Sequence, residues 1–159
     1  MNNKLKVKSI VDGIDKISYS REGDASMDLR ASGVWVIDLD SEKKEIISDE
    51  YEIKINERIL IKTGIKVAIP QGYFGSIRDR SGLGFKEGLT TIGGVIDETY
   101  RGEIGVILFN TSKKPYKLTK NERVAQLIIQ KYEKVDIEYV DELDETNRSQ
   151  EGFGSSGKH

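Results

Sequence analysis

Short runs of β-forming residues follow one another along this chain, with almost no helical periodicity between them, and that rhythm limits the folds open to it. "KLKVKSI" alternates apolar and charged positions, the two-residue period of a half-exposed strand. "GVWVID", "ERILIKTGIKVAIP", "GYFGSIRD", "EIGVILFN" and "ERVAQLIIQKYEKVDIEYV" follow, rich in the Val, Ile, Tyr and Phe that strands favour. Turn signals separate them at Asp12-Gly13, Thr63-Gly64, Pro70-Gln71-Gly72 and Ser81-Gly82. The expectation is an all-β subunit, a jelly-roll-like barrel or sandwich, with at most one short helix near "SGLGFKEG". "NERVAQLIIQK" also scans as an amphipathic helix, but its β-branched content favours a strand. No internal repeat is read from the sequence.

The 159 residues suit one domain. Residues 1–140 carry the strand signals. After Val140 comes polar "DELDETNRSQ", then a Gly/Ser stretch, so residues 141–159 are expected to form a flexible C-terminal arm. There is no cysteine, hence no disulfide framework and no thiolate metal site. The single histidine is His159, so acid–base chemistry in the body of the domain must use Asp, Glu, Lys or Tyr. A net charge of −2 gives no broad nucleic-acid-binding face. No apolar run has transmembrane length, and "MNNKLKVKSI" lacks a signal-peptide core. A soluble, cytoplasmic protein with no membrane and no nucleic-acid partner is expected.

Five stretches hold residues able to do chemistry. In "ASMDLRAS", Asp28 sits between apolar neighbours, and its plain reading is a turn or a salt bridge. In "RDRSGLGFK", Arg80, Ser81 and Gly82 offer a guanidinium, a hydroxyl and a bare backbone N–H, a set that suits a phosphate oxygen as well as an ordinary β-turn. In "TIGGVIDETYRGEIGV", Gly93 and Gly94 permit close backbone approach, so a hairpin there has groups to read the edge of a planar ring. Asp97 beside apolar Ile96 is a candidate base, and Tyr100 serves equally as core filling. In "NERVAQLIIQK", Gln126 interrupts an apolar run and needs partners, while Arg123 suits pairing with a carboxylate. In "RSQEGFGSSG", Phe153 stands between glycines on a polar arm and needs a flat or apolar surface to land on.

Taken in order, "ASMDLRA", "RSGLG", "GGVIDETYRGEI", "ERVAQL" and "RSQEGFGSSG" resemble the five ordered motifs of the trimeric-type deoxyuridine triphosphatase (dUTPase) family, over Ala25 to Gly157. That resemblance implies a homotrimer whose active sites each draw on all three chains, with dUTP hydrolysed to dUMP and pyrophosphate and Mg²⁺ bound mainly through the triphosphate. It implies that Asp97 deprotonates the water attacking the α-phosphorus and that Tyr100 lies under the deoxyribose. It casts Arg80, Ser81, Gly82 and Gln126 as phosphate contacts. Thr91, Gly94, Val95, Ile96 and Gly105 join them at the substrate, the hairpin backbone reading uracil. Asp28 would touch the metal indirectly, through water, or the subunit contact. Arg148 would clamp the γ-phosphate, Phe153 would cover uracil, and Gly154, Ser155 and Ser156 would wrap the phosphates. The chain departs from the family pattern at Ser26 and Ser149, where Gly is usual, at Ser156, where Thr is usual, and at Thr91, where Asn is frequent. A dCTP deaminase of the same fold and a non-catalytic protein on this scaffold remain the alternatives. The complete arm and the "YRG" segment favour dUTPase.

Overall fold

The computed structural model describes residues 4–39 and 42–146. Strands dominate, as expected. Arg58–Ala68 (β6) is the spine: Ile59, Ile61, Thr63, Ile65 and Val67 point alternately inward and are buried, while Lys62 and Lys66 lie on the other face. Its length lets it pair with three strands. Glu103–Asn110 (β10) runs antiparallel along one side, from Lys66 to Arg58. The other side is shared by Val34–Leu39 (β3), opposite Leu60 and Ile61, and Lys6–Ser9 (β1), opposite Ile65 to Ala68. Glu42–Ile47 (β4) and Leu89–Thr91 (β8) close the two edges of this six-stranded sheet.

Against it stands a four-stranded antiparallel sheet. Its order is Met27–Arg30 (β2), Arg123–Lys131 (β12), Tyr73–Arg78 (β7) and Val95–Ile96 (β9). Glu50–Ile53 (β5) and Tyr116–Thr119 (β11) pair separately. The inward faces meet in one core containing Leu29, Trp35, Ile61, Ile104, Val106, Leu118 and Leu127. Trp35 is fully buried and stacks on Tyr51 with ring centroids 5.8 Å apart. Such a pair adds about 0.5–1.5 kcal/mol beyond area burial. The one helical segment among the described residues, a wide turn over Leu83–Glu87, stops at Gly88 and lies where a short helix was expected.

Two sequence expectations need correcting. Strand structure ends at Lys131, although "KYEKVDIEYV" reads as its continuation: residues 133–146 form no strand within this chain and are exposed. The fold also contains a repeat that the sequence reading missed. "YEIKINERI" and "YKLTKNERV" share Tyr, Asn-Glu-Arg and a β-branched residue at the same spacing. They form the same turn, from β5 into β6 and from β11 into β12. Asn56 and Asn121 take positive φ (58° and 66°), which asparagine tolerates. Tyr51 Oη donates to Glu57 Oε1, and Tyr116 Oη to Glu122 Oε1, at 2.7 Å each. The second oxygen of each glutamate accepts the N–H three residues upstream, from Lys54 and from Thr119. Burial, then the hydrogen bond to the nearby carboxylate and its negative charge, push both tyrosine hydroxyls well above the usual range.

Candidate active site

Asp28 and Gln126 face each other across the β2–β12 ladder, and Gln126 faces Arg78 across the next one. That register places the first-motif carboxylate beside the segment leaving β7. Arg80 Nε donates to Asp28 Oδ1 at 3.0 Å, and Arg123 Nε lies 3.4 Å from Asp28 Oδ2. The plain reading of Asp28, a salt bridge, therefore holds, and so does the pairing of Arg123 with a carboxylate. Gln126 is half-buried, and among the described residues its side-chain amide has no hydrogen-bond partner. The Ser81 and Gly82 side of the loop is exposed. This end of the sheet thus collects two guanidiniums, a spare amide and a hydroxyl, a donor-rich set suited to phosphate oxygens.

A second group lies at the other end of β7. Ile96 pairs with Gly75 and Val95 with Ser76, so Asp97 comes opposite Phe74. Ile77 N–H donates to Gly94 O at 2.8 Å. Gly94 has φ +113°, and a Cβ there would lie 2.9 Å from the Ile77 carbonyl oxygen, so only glycine lets the hairpin dock this closely. Asp97 opens a β-turn closed by Tyr100 N–H to Asp97 O at 3.0 Å, and its carboxylate is exposed. It borders a groove of about 390 Å³ lined also by Phe74, Val95, Glu98, Tyr132 and Lys134. Tyr100 Oη donates to Glu103 O at 2.9 Å, and its ring covers Gly102 so tightly that any side chain there would collide with it. Gly105 lies on β10, in the six-stranded sheet, opposite Lys62.

Within one chain these two groups stay apart. From Phe74 to Arg78 is four residues of extended strand, ~13 Å, and Arg80 lies beyond. Arg148, Phe153, Gly154, Ser155 and Ser156 lie outside the described residues. The structure also shows residues that the sequence reading passed over. Asp79 accepts hydrogen bonds from Thr91 N–H (2.6 Å), Thr91 Oγ1 (2.6 Å) and Thr90 Oγ1 (2.9 Å). Partial burial opposes its charge, but these donors and the neighbouring Arg78 outweigh it and hold the carboxyl below the usual range. Glu98 accepts the Gly72 N–H, tying the turn after Asp97 to the β6–β7 connection. Both sit between eye-catching residues, and only their contacts set them apart.

A dUTPase family profile matches residues 12–157. The chain belongs to the dUTPase family. A deoxyuridine 5'-triphosphate nucleotidohydrolase of Fusobacterium nucleatum is 40% identical over 158 residues, covering 98% of this chain and 99% of that protein. A Staphylococcus bacteriophage 80alpha dUTPase solved with dUpNHpp superposes with a TM-score of 0.81 at 25% identity, over 98% of this chain and 99% of the other. A dUTPase from phage phi11 of S. aureus, described with a structural Mg(II) ion, shares the fold, with a TM-score of 0.73 at 21% identity over 90% and 100% of the two chains. In this dUTPase-family chain, no group of three or more Asp, Glu, His or Cys side chains gathers to hold a metal among the described residues. Asp28, with its oxygens turned to Arg80 and Arg123, fits contact with a hydrated ion through water better than direct ligation.

Proposed function

We propose that this protein hydrolyses dUTP to dUMP and pyrophosphate at sites shared between the chains of a homotrimer. Family membership supports the reaction. The observation supporting the shared site is the separation of Asp97 from Arg80 along β7: groups held this far apart on one chain meet at one triphosphate when different chains supply them. Residues 133–146 support assembly as well. They belong to no strand ladder of this chain, with Val135, Ile137 and Tyr139 at alternate positions and 80%, 80% and 96% exposed, as in a strand awaiting a neighbour.

In this reading Asp97 takes a proton from the water that attacks the α-phosphorus. The bond from that phosphorus to the bridging oxygen breaks, and pyrophosphate leaves with the electron pair. General-base assistance of this kind contributes about 10²–10⁴-fold. Arg80, Ser81, Gly82 and Gln126 of another chain bind phosphate oxygens, with charge-assisted hydrogen bonds from the guanidinium. Asp28 would meet a hydrated Mg²⁺ through water, and such an ion, bound with the triphosphate, would supply charge neutralisation. Tyr100, anchored through Glu103 O, lies under the deoxyribose. Uracil is read by the 92–94 backbone. Among the described residues, the N–H groups of Gly93 and Gly94 and the Gly93 carbonyl have no hydrogen-bond partner. Two donors and an acceptor match the two acceptors and one donor on the uracil edge. Cytosine would leave such groups unpaired, a penalty able to discriminate by ~10⁴ or more. Residues 141–159 act as the arm, with Arg148 on the γ-phosphate, Phe153 over the base, and Gly154, Ser155 and Ser156 around the phosphates. The substrate is a soluble nucleotide and the proposed location is the cytoplasm. Among the described residues no helix is long and apolar enough to cross a membrane.

The test is pyrophosphate release from each deoxynucleoside triphosphate in Mg²⁺ buffer. Fast release from dUTP alone is expected. Ammonia released from dCTP, or no turnover of dUTP, would overturn the proposal.

A further inference from the structure

The 92–94 connection is fastened to the end of β7 at both of its ends. Ile77 holds Gly94 through backbone, and Asp79 holds Thr91 through a side chain that bridges twelve residues of sequence. Thr91 ends β8 at an edge of the six-stranded sheet, whereas Asp79 follows β7 of the other sheet. The carboxylate therefore crosses between the two sheets where the base-reading hairpin begins. It also decides what Thr91 has to offer. With both the Thr91 N–H and its hydroxyl hydrogen donated to Asp79, Thr91 keeps only oxygen lone pairs, and the hairpin's free donors are confined to Gly93 and Gly94.

We infer that Asp79 is a positioning residue for pyrimidine recognition: by accepting both donors of Thr91, it fixes the polarity and placement of the hairpin that tells uracil from cytosine. This rests on the proposed dUTP hydrolysis. Asp79 is not placed among the groups that touch the reacting atoms, so its loss should tell on binding and selection rather than on the chemical step. Asp79 is exposed and Thr91 half-buried, and neither belongs to the hydrophobic core, so neither substitution opens it.

The experiment compares wild type, Asp79→Ala, Thr91→Val and the double variant in steady-state hydrolysis of dUTP and dCTP, with thermal unfolding as the check on folding. Ala removes both acceptor oxygens, whereas Asn would keep its amide oxygen toward the two Thr91 donors and turn its NH₂ to the Thr90 hydroxyl. For Asp79→Ala we expect KM for dUTP to rise about tenfold, kcat to stay within about twofold and the preference for dUTP over dCTP to narrow, with a cooperative unfolding transition retained. The double variant should lose no more than Asp79→Ala alone, because the Thr91 hydroxyl contact is already gone in that variant. A KM and a dUTP/dCTP ratio equal to wild type in Asp79→Ala, or losses that simply add in the double variant, would overturn the inference. A wild-type protein inactive on dUTP would instead sink the reaction on which it stands.

Discussion

The Asp28 carboxylate is held between two arginines, with Arg80 Nε at 3.0 Å on one oxygen and Arg123 Nε at 3.4 Å on the other. The carboxylate is the most shielded of the three groups, so it both neutralises and aims the guanidiniums. Asp28→Ala leaves two like charges side by side and frees Arg80 to swing. Expected are a drop in kcat/KM for dUTP of about 10² and a stability loss of about 1–3 kcal/mol, the cost of orphaning a partly buried charged group. Steady-state kinetics and urea unfolding measure the two.

Asp97→Asn removes the base and keeps the shape. Because Asp97 is exposed and its turn is closed by its own carbonyl rather than its carboxylate, the fold should not notice. Hydrolysis should fall about 10²–10⁴-fold. Binding of dUpNHpp should stay within about tenfold, ~1.4 kcal/mol, by calorimetry. Turnover close to wild type would remove Asp97 from the mechanism.

The shared site predicts rescue between two dead proteins. A chain ending at Val140 lacks the arm, and Asp97→Asn lacks the base. In an even random mixture of the two within trimers, about a quarter of sites would hold an intact Asp97 and an intact arm. Activity should return in that proportion once mass measurements confirm mixed trimers. Confirmed mixtures that stay inactive would mean that one chain supplies both.

Asn110 is completely buried and fully paired. Its amide nitrogen donates to Ile53 O (3.2 Å) and Lys114 O (2.9 Å), and its oxygen accepts from Ser112 N–H (2.9 Å) and Ser112 Oγ (2.7 Å). Asn110→Asp turns an oxygen toward two carbonyls. A loss of about 3 kcal/mol or more is expected by urea unfolding, since a buried charge and two orphaned acceptors combine.

Tyr51 and Tyr116 make stability sensitive to alkali. Their folded-state pKa values lie above those of free tyrosine, so the unfolded chain releases these protons first as pH rises. Their contribution is whole below about pH 10 and declines above it, as the unfolded tyrosines ionise. The urea midpoint should therefore hold up to about pH 9.5 and fall from about pH 10 upward. The decline should be shallower in the Tyr51→Phe/Tyr116→Phe variant.

Much of the fold could be read from the chain because β6, β10 and β12 carry enough apolar residues to announce themselves. The strand signal of β4, "EKKEII", was hidden by charge: an edge strand exposes its side chains and needs little apolar content. β8 and β9 are too short to show a period. The run after Lys131 misled for the opposite reason, since alternation reports a strand's chemistry and not where its partner is. In the site, Asp28, Arg80 and Gln126 were readable as types, and the β2–β12–β7 register explains why they gather. Asp79 was not readable. Its role lies in three contacts made across eleven or twelve residues, and nothing in "RDRSG" marks which charge faces the phosphate end and which faces the hairpin.

The turn built twice gives the molecule an internal control. Equivalent substitutions at Glu57 and Glu122 remove the same contacts from the same local geometry, one beside β6 and one beside β12. Any difference between their effects reports the surroundings rather than the turn. β5 and β11 lie side by side, so the two copies also share a border, and the penalty of losing both need not be the sum of losing each.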